Sequence, residues 1–163
     1  MSELEELAPR VITRCREREV RLVFAEACTG GLMTAALTEV PGASAVVERA
    51  FVPYSNESKG EQLGVPLALL QAHGSVSAEV AGAMAAGALE RSWADWAVAE
   101  TGIAGPGGGT EAKPVGLVFI AVQRRGRAPV VERHQFKGDR RQVRQAAAAR
   151  GLAVLLARLG VES

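Results

Sequence analysis

The sequence predicts an α/β fold, a single-domain three-layer α/β/α arrangement with a mixed sheet, and three observations carry that prediction. Short β-forming runs alternate with helical periods along most of the 163-residue chain. The alternation then gives way to two adjacent β-runs of hairpin type and one long helix, which adds antiparallel pairing to a parallel sheet. No linker, repeat or low-complexity stretch interrupts this order, so residues 1–163 read as one domain.

Composition narrows the function. With 48% of residues hydrophobic, the chain can bury a continuous core. Nineteen Lys and Arg stand against eighteen Asp and Glu, a balance that provides no large field for nucleic acid or an anionic membrane and points to a small-molecule partner. No apolar run approaches the roughly 18 residues needed to span a bilayer, and the acidic start from Ser2 to Glu6 lacks the basic region of a secretory signal. The expected compartment is the cytoplasm. Two cysteines and two histidines form no recognisable metal-ligand cluster, so no metal site is expected.

The elements follow in order. Ser2 stands three residues before Glu5, as in a capping box, and Leu4, Leu7, Val11, Ile12 and Cys15 share one helical face. Pro9 marks either the first turn of that helix or a kink. Residues Val20 to Glu26 read as a strand that breaks at Ala27-Cys28-Thr29-Gly30-Gly31, with a helix from about Gly30 to Thr38. A helix start presents unpaired N–H groups and the positive end of its dipole, so negative charge is stabilised there. Glu48 to Tyr54 reads as a second strand, with Pro53 marking an edge or an end. Ser55 caps a short helix ending near Gly64, another short helix reaches His73, and Ser77 starts an alanine-rich helix from Ala78 to Arg91. Trp96 to Glu100 is a third strand. It runs into Thr101-Gly102-Ile103-Ala104-Gly105-Pro106-Gly107-Gly108-Gly109-Thr110, where so many glycines cost backbone entropy and imply close approach to a ligand. Val115 to Gln123 and Val130 to Phe136 form the hairpin. Asp139 begins the last helix, with Val143, Ala146, Ala147, Val154, Leu155 and Leu159 on its buried side.

Three strand ends therefore carry unusual residues, and ligands collect at the carboxyl ends of strands in open α/β sheets. The glycine loop is no P-loop, because Lys113 is followed by Pro114 and no Gly-Lys-Ser or Gly-Lys-Thr closes it.

Five segments in order, Ala25-Glu26-Ala27-Cys28-Thr29-Gly30-Gly31, Tyr54-Ser55-Asn56-Glu57-Ser58-Lys59, His73-Gly74-Ser75-Val76-Ser77, Thr101-Gly102-Ile103-Ala104-Gly105-Pro106 and Lys113-Pro114-Val115-Gly116, resemble the CinA carboxy-terminal domain family, the nicotinamide mononucleotide (NMN) deamidases. The resemblance extends over essentially the whole chain; larger CinA proteins carry an additional amino-terminal domain for which 163 residues leave no room. It implies hydrolysis of the NMN carboxamide to nicotinic acid mononucleotide and ammonia, with no metal and no cofactor, by a serine and lysine pair, in a homo-oligomer. The family's nucleophilic serine falls on Ala27, which marks either a replaced nucleophile or a homologue whose chemistry is lost or changed. Lys59 matches the lysine that takes and returns the proton, Tyr54 a tyrosine that assists it or holds the lysine, and Thr101 a hydroxyl in the same pocket. N–H groups at Thr29, Gly30 and Gly31 are expected to stabilise the oxyanion, and Gly102, Gly105, Gly107 and Gly108 to face the substrate. Arg140 matches the arginine assigned to the phosphate, with Arg141 and Arg144 as its nearest rivals. Cys28 is the other conceivable nucleophile, but its neighbouring position directs its side chain away from the serine site. The competing reading is a non-catalytic pyridine-nucleotide-binding module.

Overall fold

The computed structural model describes residues 1–161. Helix α1 (Glu3–Arg18) opens with the Ser2/Glu5 capping box, both reciprocal bonds being present, and runs unbroken with Pro9 inside it; Ser2 and not Pro9 sets its first turn. At its other end Glu19 is left-handed and the Val20 amide donates to the Cys15 carbonyl. Closing the helix thus uses Val20, and β1 begins later than expected, at Leu22–Glu26. The α2 helix (Leu32–Thr38) also starts late, because Gly30 and Gly31 both take positive φ. A single turn of 3₁₀ helix (Ala43–Ala45), which the sequence had not indicated, leads into β2 (Val47–Phe51). That strand stops short of Tyr54, consistent with Pro53 having no N–H for a ladder.

Helices α3 (Asn56–Leu63), α4 (Leu67–His73) and α5 (Ala78–Glu90) follow, the first and last capped by the Ser55 and Ser77 hydroxyls. In α5, Gly87 permits close approach: a Cβ there would land on the Leu63 carbonyl oxygen of α3. Strand β3 (Trp96–Gly102) extends two residues past Glu100, since β4 (Leu117–Arg124) continues to pair with it there, Thr101 opposite Phe119 and Gly102 opposite Val118. The β4 start is later than Val115 because Gly116 turns at φ 93°. Strand β5 (Val130–Gln135) completes the hairpin. The last helix, α6 (Arg140–Val161), begins with a second reciprocal cap: the Gln142 amide donates to Asp139 Oδ1 at 2.9 Å and the Asp139 amide to Gln142 Oε1 at 2.8 Å.

Among the described residues the sheet has the order β2-β1-β3-β4-β5, with β1 parallel to both β2 and β3, and β4 antiparallel to its neighbours. Side-chain alternation divides it into two faces. Leu22, Phe24, Trp96 and Val98 pack with α1, α2 and α6, whereas Val23, Ala25, Ala97 and Ala99 pack with α3, α4 and α5. The mixed three-layer arrangement is the one the sequence predicts. Of the residues expected on the buried side of α6, Ala146 is only half-buried. No described helix is long and apolar enough to cross a membrane.

Candidate active site

Because β1, β2 and β3 are parallel neighbours, their carboxyl ends emerge on one edge of the sheet, and the segments after them meet. Ala27, Cys28, Tyr54, Lys59, Ser75, Val76, Thr101, Gly102, Ala104 and Arg140 line a cavity of about 200 Å³. It adjoins a second of about 440 Å³, walled by the glycine loop at Gly102, Gly105, Gly107 and Gly108 and by Gly74, Thr110 and Lys113. Ser75, Val76, Gly102, Ala104 and Arg140 belong to both, so the two form one cleft.

Lys59 is the buried amine of the inner cavity, 3% exposed, on the first turns of α3. Its Nζ donates to the Tyr54 carbonyl oxygen at 3.2 Å. Burial lowers its pKa from the ordinary 10.5, and the nearby Glu100 carboxyl partly opposes that. Tyr54 therefore holds the lysine through its backbone, while its exposed phenol oxygen accepts from Arg140 Nη2 at 3.1 Å. Arg140 Nη1 donates to the Gly105 carbonyl at 2.7 Å, tying the start of α6 to the glycine loop. Thr101, almost fully buried, donates its hydroxyl to the Ser75 carbonyl at 2.7 Å. Ala27, 4% exposed, presents only a methyl group.

The turn after β1 is arranged differently from the sequence expectation. Glu26, the last residue of β1, turns its carboxyl under the start of α2, where Oε1 accepts from the Met33 amide at 2.9 Å and Oε2 from the Thr34 amide at 3.0 Å and the Thr34 hydroxyl at 2.6 Å. The donors that a helix start offers to an anion are taken by the protein itself. The Thr29 amide is likewise engaged, donating to Glu100 Oε1 at 2.9 Å, and Thr29 is fully buried. It has no N–H left for an oxyanion. Gly30 and Gly31 line neither cavity, and Gly30 lies beneath the Arg144 guanidinium. Arg144 is committed to this turn, with Nε donating to the Cys28 carbonyl at 3.0 Å and Nη2 to the Thr29 carbonyl at 3.1 Å. Arg141 is exposed and lines neither cavity, so of the three arginines Arg140 alone reaches the cleft.

Behind the turn lies a buried acid pair that sequence reasoning missed. Glu26 and Glu100 are both fully buried, and the Thr29 hydroxyl sits 2.7 Å from Glu26 Oε1 and 2.8 Å from Glu100 Oε1. One hydroxyl proton cannot serve both oxygens fully, and Glu100 is the carboxyl that burial pushes up, to a pKa of about 7, against the pull of the Thr29 hydrogen bonds. Its Oε2 has no hydrogen-bond partner. The same burial pushes the Cys28 thiol up to about 12, with Glu100 adding to the rise, which leaves Cys28 a poor thiolate nucleophile. A charged residue inside the apolar run of β3 was the available sequence signal for this pair. The lining residues Ser75 and Val76 offered none beyond their motif.

The comparisons with known proteins agree with this architecture. The family model of the CinA C-terminal domain matches residues 4–159. The chain is 48% identical over 151 residues to a CinA-like protein of Anaeromyxobacter sp. (strain Fw109-5), covering 93% of this chain and 37% of that one, and 47% identical over 150 residues to a CinA-like protein of Akkermansia muciniphila, covering 92% and 36%. It thus spans a little over a third of the length of these relatives. Among solved structures, the competence/damage inducible protein CihA from Agrobacterium tumefaciens superposes with a TM-score of 0.94 at 45% identity, over 98% of this chain and 97% of that one. A CinA superfamily protein from Klebsiella pneumoniae superposes with a TM-score of 0.92 at 35% identity, over 96% and 98%. The chain belongs to the CinA C-terminal domain family.

Proposed function

We propose that the cleft is a nicotinamide mononucleotide site on an amidohydrolase scaffold, with the carboxamide in the inner cavity and the phosphate side toward Arg140. The observation that carries this reading is the buried Lys59 amine, held by the Tyr54 carbonyl in a small cavity that opens onto a glycine-walled one. An amine whose burial favours its neutral form can accept a proton from a hydroxyl nucleophile and later return it to departing ammonia. Glycines around the outer cavity let a ligand approach backbone closely, and Arg140 supplies a charge-assisted contact for an anion. The likeness of the motifs to the NMN deamidases points the same way.

Position 27 offers no attacking atom, and that observation favours the second reading, a pyridine-nucleotide-binding module without catalysis. Calorimetry with NMN and an ammonia-release assay on Ala27→Ser separate the two. Binding by the chain as it stands, with turnover in Ala27→Ser, supports the amidohydrolase scaffold. Binding with an inert Ala27→Ser leaves the binding module, and absence of both refutes both readings.

A further inference from the structure

We propose that Ser75 is the nucleophilic hydroxyl of this chain, attacking the carboxamide from the wall of the inner cavity that Ala27 leaves without an attacking group. The inference rests on the reading of the cleft as an amide-hydrolysing nucleotide site and names the residue that would make it active as it stands.

The case is first one of elimination among the groups on the inner cavity. Thr101 spends its hydroxyl proton on the Ser75 carbonyl, at 2.7 Å. The Tyr54 phenol oxygen is occupied as an acceptor by Arg140. Cys28 keeps its proton, its thiol pushed up to about 12. Ala27 has no heteroatom on its side chain. Ser75 remains, half-buried, and among the described residues none donates to or accepts from its hydroxyl. A hydroxyl without a protein partner, lining the same cavity as a buried amine, is chemically the least committed group there.

Position supports the same assignment. The loop that carries Ser75 is pinned on both sides: the Thr101 hydroxyl holds the Ser75 carbonyl, and the Ser77 hydroxyl donates to the Gly74 carbonyl at 2.9 Å while accepting from the Val80 amide at 3.2 Å. Ser75 also belongs to both cavities, so it stands where the inner one meets the outer one. A ligand with its carboxamide inside and its phosphate outside passes that point. Lys59 shares the inner cavity and lies on the same face of the sheet, since α3 and α5 both pack there.

The step balances without a co-reactant other than water. The Ser75 oxygen bonds to the carboxamide carbon as its proton passes to the Lys59 amine. The carbon–nitrogen bond then breaks, with the proton returned to the leaving nitrogen, which departs as ammonia and leaves an ester on Ser75. Water, deprotonated by Lys59, attacks that ester and releases the acid and the free hydroxyl.

The test uses the chain as it stands, with NMN as the probe. Ammonia release is expected from the unsubstituted chain, with a fall of about 10²-fold or more in Ser75→Ala while the calorimetric affinity is unchanged. Acid quenching during turnover should place the acyl mass on the peptide containing Ser75, a readout independent of any variant. Ser75→Ala with undiminished turnover overturns the proposal, and so does a chain that binds NMN but releases no ammonia, an outcome that spares the nucleotide site. Failure to bind NMN overturns the nucleotide site itself and this assignment with it.

Discussion

Replacing Glu100 by glutamine should make the protein more stable above neutrality and remove part of its pH dependence. Glu100 is fully buried, and burial raises its pKa from the ordinary 4.5 to about 7. A raised carboxyl pKa means that the folded chain holds a proton that the unfolded chain releases between these two values. Its contribution is therefore fully favourable below about pH 4.5, declines as pH rises toward about 7, and stays at its unfavourable limit beyond. At about 1.4 kcal/mol for each tenfold change in proton affinity, the cost of ionising Glu100 in the folded state approaches about 3 kcal/mol by pH ~8. Glutamine reproduces the shape and charge of the protonated form and bears no such cost. Urea denaturation followed by circular dichroism, at matched pH values on the two chains, reads the difference, because titrating groups remote from Glu100 cancel between them. Stability curves for Glu100→Gln and the unsubstituted chain should coincide near pH ~4.5 and diverge by up to about 3 kcal/mol above neutrality, the variant higher. Parallel curves across that window, or a variant that is less stable at pH ~8, would refute the account of Glu100 as the proton-bearing member of the pair.

Three further outcomes follow from the same geometry. Thr29→Val removes the hydroxyl between the two buried carboxyls and should cost about 1–3 kcal/mol of unfolding free energy, read by urea denaturation, with NMN affinity unchanged, because Thr29 lines neither cavity; a matching loss of affinity would show that it contacts ligand. Arg140→Met should weaken NMN binding by calorimetry by roughly 10- to 100-fold, the worth of a hydrogen bond to a charged group, and Arg141→Met should leave it unchanged; equal effects would remove the distinction drawn between them. In the Ala27→Ser background, Lys59→Met should abolish ammonia release with little loss of affinity, and the parent's rate should rise with pH about a midpoint below 10.5, because burial favours the neutral amine; a rate that falls with pH would exclude Lys59 as the base.

The convergence of three strand ends was legible because it is topological. Runs ending at Glu26, Tyr54 and Glu100 belong to strands that the alternating pattern makes parallel, and parallel neighbours must bring those ends to one edge. Caps at Ser2, Ser55, Ser77 and Asp139 were legible because each depends on residues a few positions away. The role of the first glycine turn was not. Whether an amide at a helix start awaits a ligand depends on what else reaches it, and here Glu26 and Glu100 reach it from two different strands.

Yet the key to that arrangement was a parity already present in the sequence. Strand residues alternate between faces, and the register sets Ala25 opposite Ala99 and Glu26 opposite Glu100. The same alternation carries Ala27 and Thr101 to the face of α3 and α5, where Lys59 and Ser75 wait, and sends both carboxyls to the face of α2 and α6. A sheet thus stands between the acids and the lysine. Glu100 can raise the Lys59 pKa only as a secondary effect, burial still lowers it, and no carboxylate shares the cavity to neutralise the amine. A glutamate at position 27 or 101 would instead line the cavity that holds Lys59 and favour the ammonium form of its amine. The placement of the acids at positions 26 and 100, each one residue before a cavity-lining position, therefore keeps carboxylates out of the cavity that holds Lys59.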